Sequence, residues 1–466
     1  MNSGVSLYKN TLIYSVGTFG SKLISFLIVP LYSFYLTKAQ LGYYDLVLTT
    51  ISLAVPFITV QIADAAYRWL LEDPEGNRIK QTEIITTGSI ILLFSYFIFS
   101  ILFAIISLLI ETEYKLLFFI ILIVSSTLPY LQRIIRGLGH TQLYAIVGIL
   151  APILLLVFSS LFLYFSKDKL FGLLVALVAS NSLVILVILL KSRVYKFYEL
   201  RSFNIATAKE LLSYSLPLIP NAISWWMINA ANRYIILSYL GADFNGVFAI
   251  SNKFPSIILI INSVFMLAWQ DHILNDTQNK QDYTRYFKTF MTLQLSIVLF
   301  LVAISKYLVK YLVDPKFFDS WQYMPFLMLG VAFSSFSAFL GSGYIKLKDT
   351  KGLFVTTIVG GIVNIVTTIL LIQKIGLFAP ALGTLIGFAV LWIIRINHTN
   401  SLFNIEIDKT LLAVLLVFIF ISMYLVFINV GLVDYSLIAI SLLLTFFFNK
   451  DLFEKLFNKI TKLVLK

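Results

Sequence analysis

The 466-residue chain contains no cysteine, which excludes disulfides, thiol nucleophiles and cysteine-held metals. Its three histidines, His140, His272 and His398, fall at the ends of apolar runs with no metal-ligand spacing. No metal and no cofactor is therefore expected. Charge is scarce too: only 12% of residues are Asp, Glu, Lys or Arg, against 59% hydrophobic. At a mean hydropathy of +0.91, no soluble domain of this size covers so much apolar surface with so few charges. The alternation of a membrane β-barrel is missing, because the apolar runs are continuous over about twenty residues or more. What remains is an all-α polytopic membrane protein.

Apolar runs from 11–36 through to 432–448 predict about fourteen membrane-spanning helices, since a core of about 30 Å needs about 20 helical residues. The first run lacks a small-residue cleavage site and reads as a mature helix. The net charge of +12 suggests nucleic acid until the charges are placed along the chain. With the N-terminus inside, 24 of the 35 Lys and Arg fall on inner segments and span ends, and 8 on outer ones. Lys22, Arg233 and Lys253 lie within spans. This bias puts both termini in the cytoplasm by the positive-inside rule, as in a bacterial inner membrane. The excess charge then faces anionic membrane lipids, and no nucleic-acid partner is expected.

The most basic loop, Lys191 to Lys209, separates six spans from the next six. Short echoes link the halves: Tyr35-Leu36 with Gly42, then Tyr239-Leu240 with Gly246 at the same interval. Arg68 and His272 stand at matching span ends, and Leu170-Phe171 matches Leu377-Phe378. The expected organisation is an N-lobe at 1–200, a C-lobe at 201–400, spans thirteen and fourteen at 401–448, and a tail at 449–466. Two six-helix halves that both start inside form a parallel repeat, with a substrate site between them. The tail alternates Leu452, Phe453, Leu456 and Phe457 with Lys450, Lys455 and Lys459, the pattern of a basic amphipathic helix on the inner leaflet.

Lys22 is the most informative single residue. It sits halfway along an uncharged run, where an ionised side chain costs at least about 2.5 kcal/mol and cannot easily snorkel to the surface. Ser15, Thr18, Ser25 and Ser33 share its helical stripe, so a polar cavity is expected there. The plain alternative is a buried acid on another helix. In span seven, Asn221, Trp225, Asn229, Asn232 and Arg233 fall within one sector of a continuous helix, suited either to sugar rings or to helix packing. Pro217 and Pro220 are expected to bend this span. Lys253, between Asn252 and Pro255, joins Arg233 as a candidate ligand for a diphosphate. Asp45 is the candidate for a coupling ion, and Asp64–Arg68 at i, i+4 reads as a local ion pair.

Residues 8–45 resemble the opening of bacterial oligosaccharide flippases of the polysaccharide-exporter type. Asn10, Gly17, Gly20, Pro30, Leu36, Gly42 and Tyr43 occupy the family's positions, and Ala65-Ala66-Tyr67-Arg68-Trp69 resembles its ending to the second span. The likeness runs on through Tyr214 to Asn252. It implies two six-helix lobes around a V-shaped central cavity, plus two extra helices. It also implies the cargo, an undecaprenyl-diphosphate-linked oligosaccharide moved from the inner to the outer leaflet, as for O-antigen or capsule. A polymerase and other assembly proteins would be partners. The rival readings are a cation-coupled multidrug antiporter of the same fold and a polymerase of lipid-linked sugars. The antiporter would want cavity acids, and the enzyme a large outer domain, whereas the longest outer stretch is Lys310 to Trp321. A transporter without catalytic residues is expected.

Overall fold

The structure, a computed structural model, describes residues 20–72, 76–109, 113–275, 280–347, 349–428, 431–450 and 454. Among these residues it is all-α, without strands. The expectations for Asn10, Ser15, Gly17, Thr18 and the amphipathic face of the tail lie outside the described residues. So does the side chain of His272.

Two compact units divide the chain at Trp226/Met227. That division falls inside span seven, and not in the basic loop near residue 200. The reason is local: the connector after span six and the helix that follows it pack back onto the first unit.

In the N-terminal unit, helices α1 (Gly20–Tyr35) and α2 (Lys38–Ile58) are joined by a tight turn. Thr37 caps α2 through its hydroxyl on the Gln40 amide, while the Gln40 side chain accepts from the Thr37 N–H. This reciprocal pair satisfies two amides that a helix start leaves open. Then come α3 (Ile62–Leu71), α4 (Arg78–Leu109), α5 (Lys115–Gly137), α6 (Thr141–Phe165) and α7 (Lys169–Ser192). Buried Ile62, Ala65, Ala66, Ile134, Ile135, Val184 and Ile188 make the core where α3, α5 and α7 meet. Gly137 lets α5 approach α3, since a Cβ there would lie 2.8 Å from Leu70. The same packing overturns the expected Asp64–Arg68 pair. Arg133 on α5 reaches Asp64 at 3.0 Å, and Arg68 turns to Glu72 at 3.1 Å and lies over the Tyr214 ring.

Span two is broken between α2 and α3. Val60 (φ 43°) and Gln61 (φ 54°) are both left-handed, a costly conformation for non-glycine residues and most of all for a β-branched one. The carbonyl of Ile58, freed by the break, accepts the Ser95 hydroxyl at 2.6 Å. Beside the break, Leu53, Phe57, Ile58, Ile98, Phe99 and Leu102 help to line a largely apolar cavity of about 330 Å³.

After α7 come two 3₁₀ turns (Val194–Phe197 and Leu200–Ser202), then α8 (Ile205–Ser215) and α9 (Leu218–Asn229). The gap between α8 and α9 holds Pro217, where a bend is expected. In the C-terminal unit follow α10 (Asn232–Tyr239), α11 (Ala242–Lys253), α12 (Ser256–Asn275), α13 (Lys280–Leu312) and α14 (Met324–Leu347). The last are α15 (Thr350–Ile375), α16 (Phe378–His398), the short α17 (Asn400–Phe403), α18 (Lys409–Ile428) and α19 (Gly431–Phe448). Helices α18 and α19 pack on α13. Thr445 donates to the Ser296 carbonyl at 3.1 Å and Asn449 to its hydroxyl at 3.1 Å.

Eleven of the described helices are long and apolar enough to cross a membrane. Gly20–Tyr35 and Tyr435–Phe448 are shorter apolar helices at the places of spans one and fourteen. Span seven is the exception, cut into α9 and α10, so length and hydropathy alone do not reach a count of fourteen.

Candidate functional site

Lys22 lies on α1 and is half-buried. Among the described residues it makes no hydrogen bond, ion pair or ring contact, and residues 1–19 contain no Asp or Glu. A buried acid neutralising this lysine is therefore not found among the described residues. Its stripe holds Ser25, which donates to the Ser21 carbonyl, and the buried Ser33, which donates to Pro30. Toward the far end of α1, Tyr32 meets Tyr44 on α2 edge-on at 5.3 Å, and its hydroxyl lies 3.1 Å from Ser159 on α6. Asp45 follows directly and is buried in α2.

The polar residues of span seven do not lie on the one continuous helix that a wheel assumes, because the span is cut into α9 and α10. The chain turns at Ala230-Ala231, where Arg233 N–H donates to the Ala230 carbonyl and Tyr234 N–H to Ala231, three residues back. Asn221 and Trp225 stay with the N-terminal unit, both half-buried, and the side-chain oxygen of Asn221 is buried without a hydrogen bond. Trp226 donates to the Thr49 carbonyl on α2 at 3.1 Å. At the end of α9, Asn229 is exposed and its carbonyl accepts Arg233, whose guanidinium lies 5.7 Å from the Phe248 ring centre.

Asn232 goes elsewhere. It is buried, and its amide donates to Asn364 (3.1 Å), to Thr384 (3.1 Å) and to the Pro380 carbonyl (3.2 Å). Thr368 donates to its oxygen at 3.2 Å, and Asn364 donates to the Ile228 carbonyl at 2.9 Å. The network joins α10 to α15 and α16 through neutral groups. Gly383 permits it, because a Cβ there would overlap the Thr368 hydroxyl and lie 2.7 Å from Asn364. Of the two uses open to this asparagine, helix packing consumes its hydrogen-bonding capacity. Lys253 is exposed at the end of α11, where the chain breaks at Phe254-Pro255 before α12.

The charge count along the chain places Arg395 among the inner-end charges, yet it is 1% exposed inside α16. Its guanidinium donates to the Ser337 carbonyl on α14 (2.8 Å) and, on α15, to Thr357 (2.9 Å), Thr356 (3.2 Å) and the Leu353 carbonyl (3.5 Å). It lies over the Tyr344 ring, whose hydroxyl is 2.8 Å from His398 Nδ1. No carboxylate pairs with it among the described residues. Its place three residues before His398 mimics an interfacial arginine, which hid it. The available signal was the paired hydroxyls Thr356-Thr357 near the start of an apolar span.

The described residues include no group of three His, Cys, Asp or Glu that could hold a metal. What the arrangement offers is a half-buried cation on α1, amides and tryptophans along α9, and broken helices in spans two, seven and eight.

The chain is similar in structure to the lipid II flippase MurJ in an inward closed conformation, at a TM-score of 0.69 and 16% identity, covering 96% of this chain and 100% of that one. An inward-facing MATE family multidrug resistance transporter of the MOP superfamily gives 0.61 and 14%, over 86% and 94%. An outward-facing transporter of the same MATE description gives 0.59 and 17%, over 85% and 96%. At these identities the likeness is one of fold. No curated protein matches the chain by sequence. The family model for polysaccharide biosynthesis proteins matches residues 7–270, more than half of the chain, and the protein belongs to that family.

Proposed function

We propose that this protein is a flippase for a polyprenyl-diphosphate-linked oligosaccharide repeat unit, carried from the inner to the outer leaflet of a bacterial inner membrane by alternating access. The reading rests on family membership in polysaccharide biosynthesis together with a MurJ-like fold. The observation that carries it at the residue level is Lys22, a half-buried cation with no acidic partner among the described residues. Such a charge is stabilised by an anionic guest, and a diphosphate supplies one. Asn221, Trp225 and Asn229 suit sugar rings, with apolar faces for the indole and hydroxyls for the amides. Arg233 and Lys253 are secondary candidates for the diphosphate, and Asp45 is the candidate for a coupling ion. Both termini are cytoplasmic in this reading, and the protein transports without acting as an enzyme.

Cells lacking the protein should accumulate lipid-linked repeat units on the inner leaflet and lose surface polymer, with glycosyl transfer intact. Purified protein in vesicles should move the lipid-linked sugar between leaflets. Unchanged surface polymer with increased drug sensitivity would establish the antiporter instead.

A further inference from the structure

Between spans six and seven the chain carries an amphipathic surface that the transport reading does not use. Residues 190–209 hold five cations, Lys191, Arg193, Lys196, Arg201 and Lys209, against one acid, Glu199. Tyr195 (55%), Leu200 (68%) and Ile205 (63%) are turned outward among them, with Tyr198 and Phe203 also exposed. So many exposed aromatic and aliphatic side chains on one short connector are not what a solvated loop carries.

The connector is also held at a definite depth. The Thr86 hydroxyl on α4 donates to the Phe197 carbonyl at 3.2 Å and accepts the Glu199 N–H at 3.0 Å. The Asn204 N–H donates to the Thr87 hydroxyl at 3.2 Å, and the Arg78 guanidinium lies 5.7 Å from the Phe197 ring centre. Helix α4 has 32 residues, about 48 Å at 1.5 Å per residue, against a hydrocarbon core of about 30 Å. Its first six residues, Arg78 to Glu83, are polar or charged apart from Ile79, and the apolar run begins at Ile84. Thr86 and Thr87 lie within the first turn of that apolar run, and they fasten the connector there.

We infer that the connector, residues 190–209, is a membrane-surface element of the N-terminal unit, seated in the headgroup layer of an anionic leaflet. Its apolar side chains reach the acyl boundary and its cations meet lipid phosphates. Charge complementarity selects the partner: a net charge of +4 on twenty residues, held flat at the interface, fits an anionic phospholipid surface.

The absence of cysteine makes the test direct, because single-cysteine variants of the full chain carry one label each. Leu200→Cys and Phe203→Cys would be labelled with a nitroxide, with Ile79→Cys on the projecting first turn of α4 as the aqueous reference. The protein would be reconstituted in neutral phosphatidylcholine vesicles and in vesicles one-third phosphatidylglycerol. The expected result is a several-fold higher ratio of oxygen to nickel-chelate collisions at 200 and 203 than at 79, larger in the anionic vesicles. Replacing Lys191, Arg193, Lys196 and Arg201 together by Gln should abolish that lipid dependence. Nickel accessibility at 200 and 203 equal to that at 79 would overturn the surface assignment. Shielding from both reagents would overturn it in favour of a protein partner. Equal immersion in both lipids, unchanged by the Gln variant, would overturn the anionic partner.

Discussion

Two cations inside membrane spans, one in each unit, are treated in opposite ways. In the N-terminal unit Lys22 is half-buried on α1, with its head free of partners among the described residues. In the C-terminal unit Arg395 is sealed between α14, α15 and α16, with four hydrogen bonds to hydroxyls and carbonyls. Neither meets a carboxylate among the described residues. The difference follows from the side chains. A planar fork with five donors can be satisfied by fixed neutral acceptors, whereas an ammonium is a strongly hydrated point charge that is costly to dehydrate. The arginine can therefore serve structure, and under the proposed function the lysine is the one kept for an anionic guest. Stability and transport should separate along this line.

The largest effect is expected from breaking the arginine side. Arg395→Ala removes a fully buried side chain from a three-helix junction, a cavity costing about 2–5 kcal/mol. Membrane abundance and the thermal midpoint in detergent should both fall. Arg395→Met fills most of the volume and removes a charge with no counter-ion, so it should recover the midpoint. Lost export by Arg395→Met at full abundance would show that this charge acts on cargo, and the contrast between the units would collapse.

Next is Lys22. Lys22→Ala should leave abundance and midpoint unchanged while removing a charge-assisted contact worth on the order of 1.5–3 kcal/mol. That is roughly a ten- to hundredfold loss of cargo affinity. Lys22→Arg should retain much of the export, and Lys22→Glu should be worse than alanine because it repels a diphosphate. Normal export by Lys22→Ala at normal abundance would remove the cavity role.

The same contrast explains what the sequence made legible. Continuous apolar runs dictated helices, because a membrane segment must satisfy its own backbone, and the all-α architecture follows from them. The break in span seven was hidden because it falls at Ala230-Ala231, the residue type that favours helix most. A wheel drawn through it joined Asn232 to Asn229, although the two point to different surroundings. The left-handed pair Val60-Gln61 was hidden for a related reason, since the only breaker nearby, Pro56, stays within α2. Asn364 and Thr368 were readable as an i, i+4 polar pair in an apolar span, facing the glycines of α16. Arg395 was masked by its closeness to a span end.

Asn232 sharpens the comparison within span seven. Asn232→Ala should cost about 1–3 kcal/mol, because Asn364, Thr368 and Thr384 lose a buried partner. Exposed Asn229→Ala should leave the detergent midpoint unchanged and report only on export. Equal midpoints for the two variants would mean that the α10–α15–α16 network contributes nothing to folding.

The smallest effect is expected at a strongly perturbed phenol outside the spans. Tyr114, just before α5, donates to the Asp168 carboxylate, which also caps α7 by accepting the Leu170 and Phe171 amides at 3.0 and 3.1 Å. That hydrogen bond, followed by partial burial and the charges of Asp168 and Glu113, pushes the phenol up to about 12. Burial pushes the Asp168 carboxyl upward, but the Tyr114 hydroxyl and the two amides outweigh it and hold it below its ordinary value. The signs oppose each other across the pH scale. The raised phenol stabilises the fold below its ordinary value near 10, and that contribution is lost as pH rises from about 10 to about 12. The lowered carboxyl stabilises the fold above about 3.9, and its contribution is lost as pH falls through the lower native value. Between these limits the midpoint should be flat. Because the pair is accessible to solvent, Tyr114→Phe should lower stability at neutral pH by less than about 1 kcal/mol. It should also remove the alkaline slope while leaving the acid one largely in place, since the α7 amides still hold Asp168. An unchanged alkaline slope in Tyr114→Phe would place the titration elsewhere.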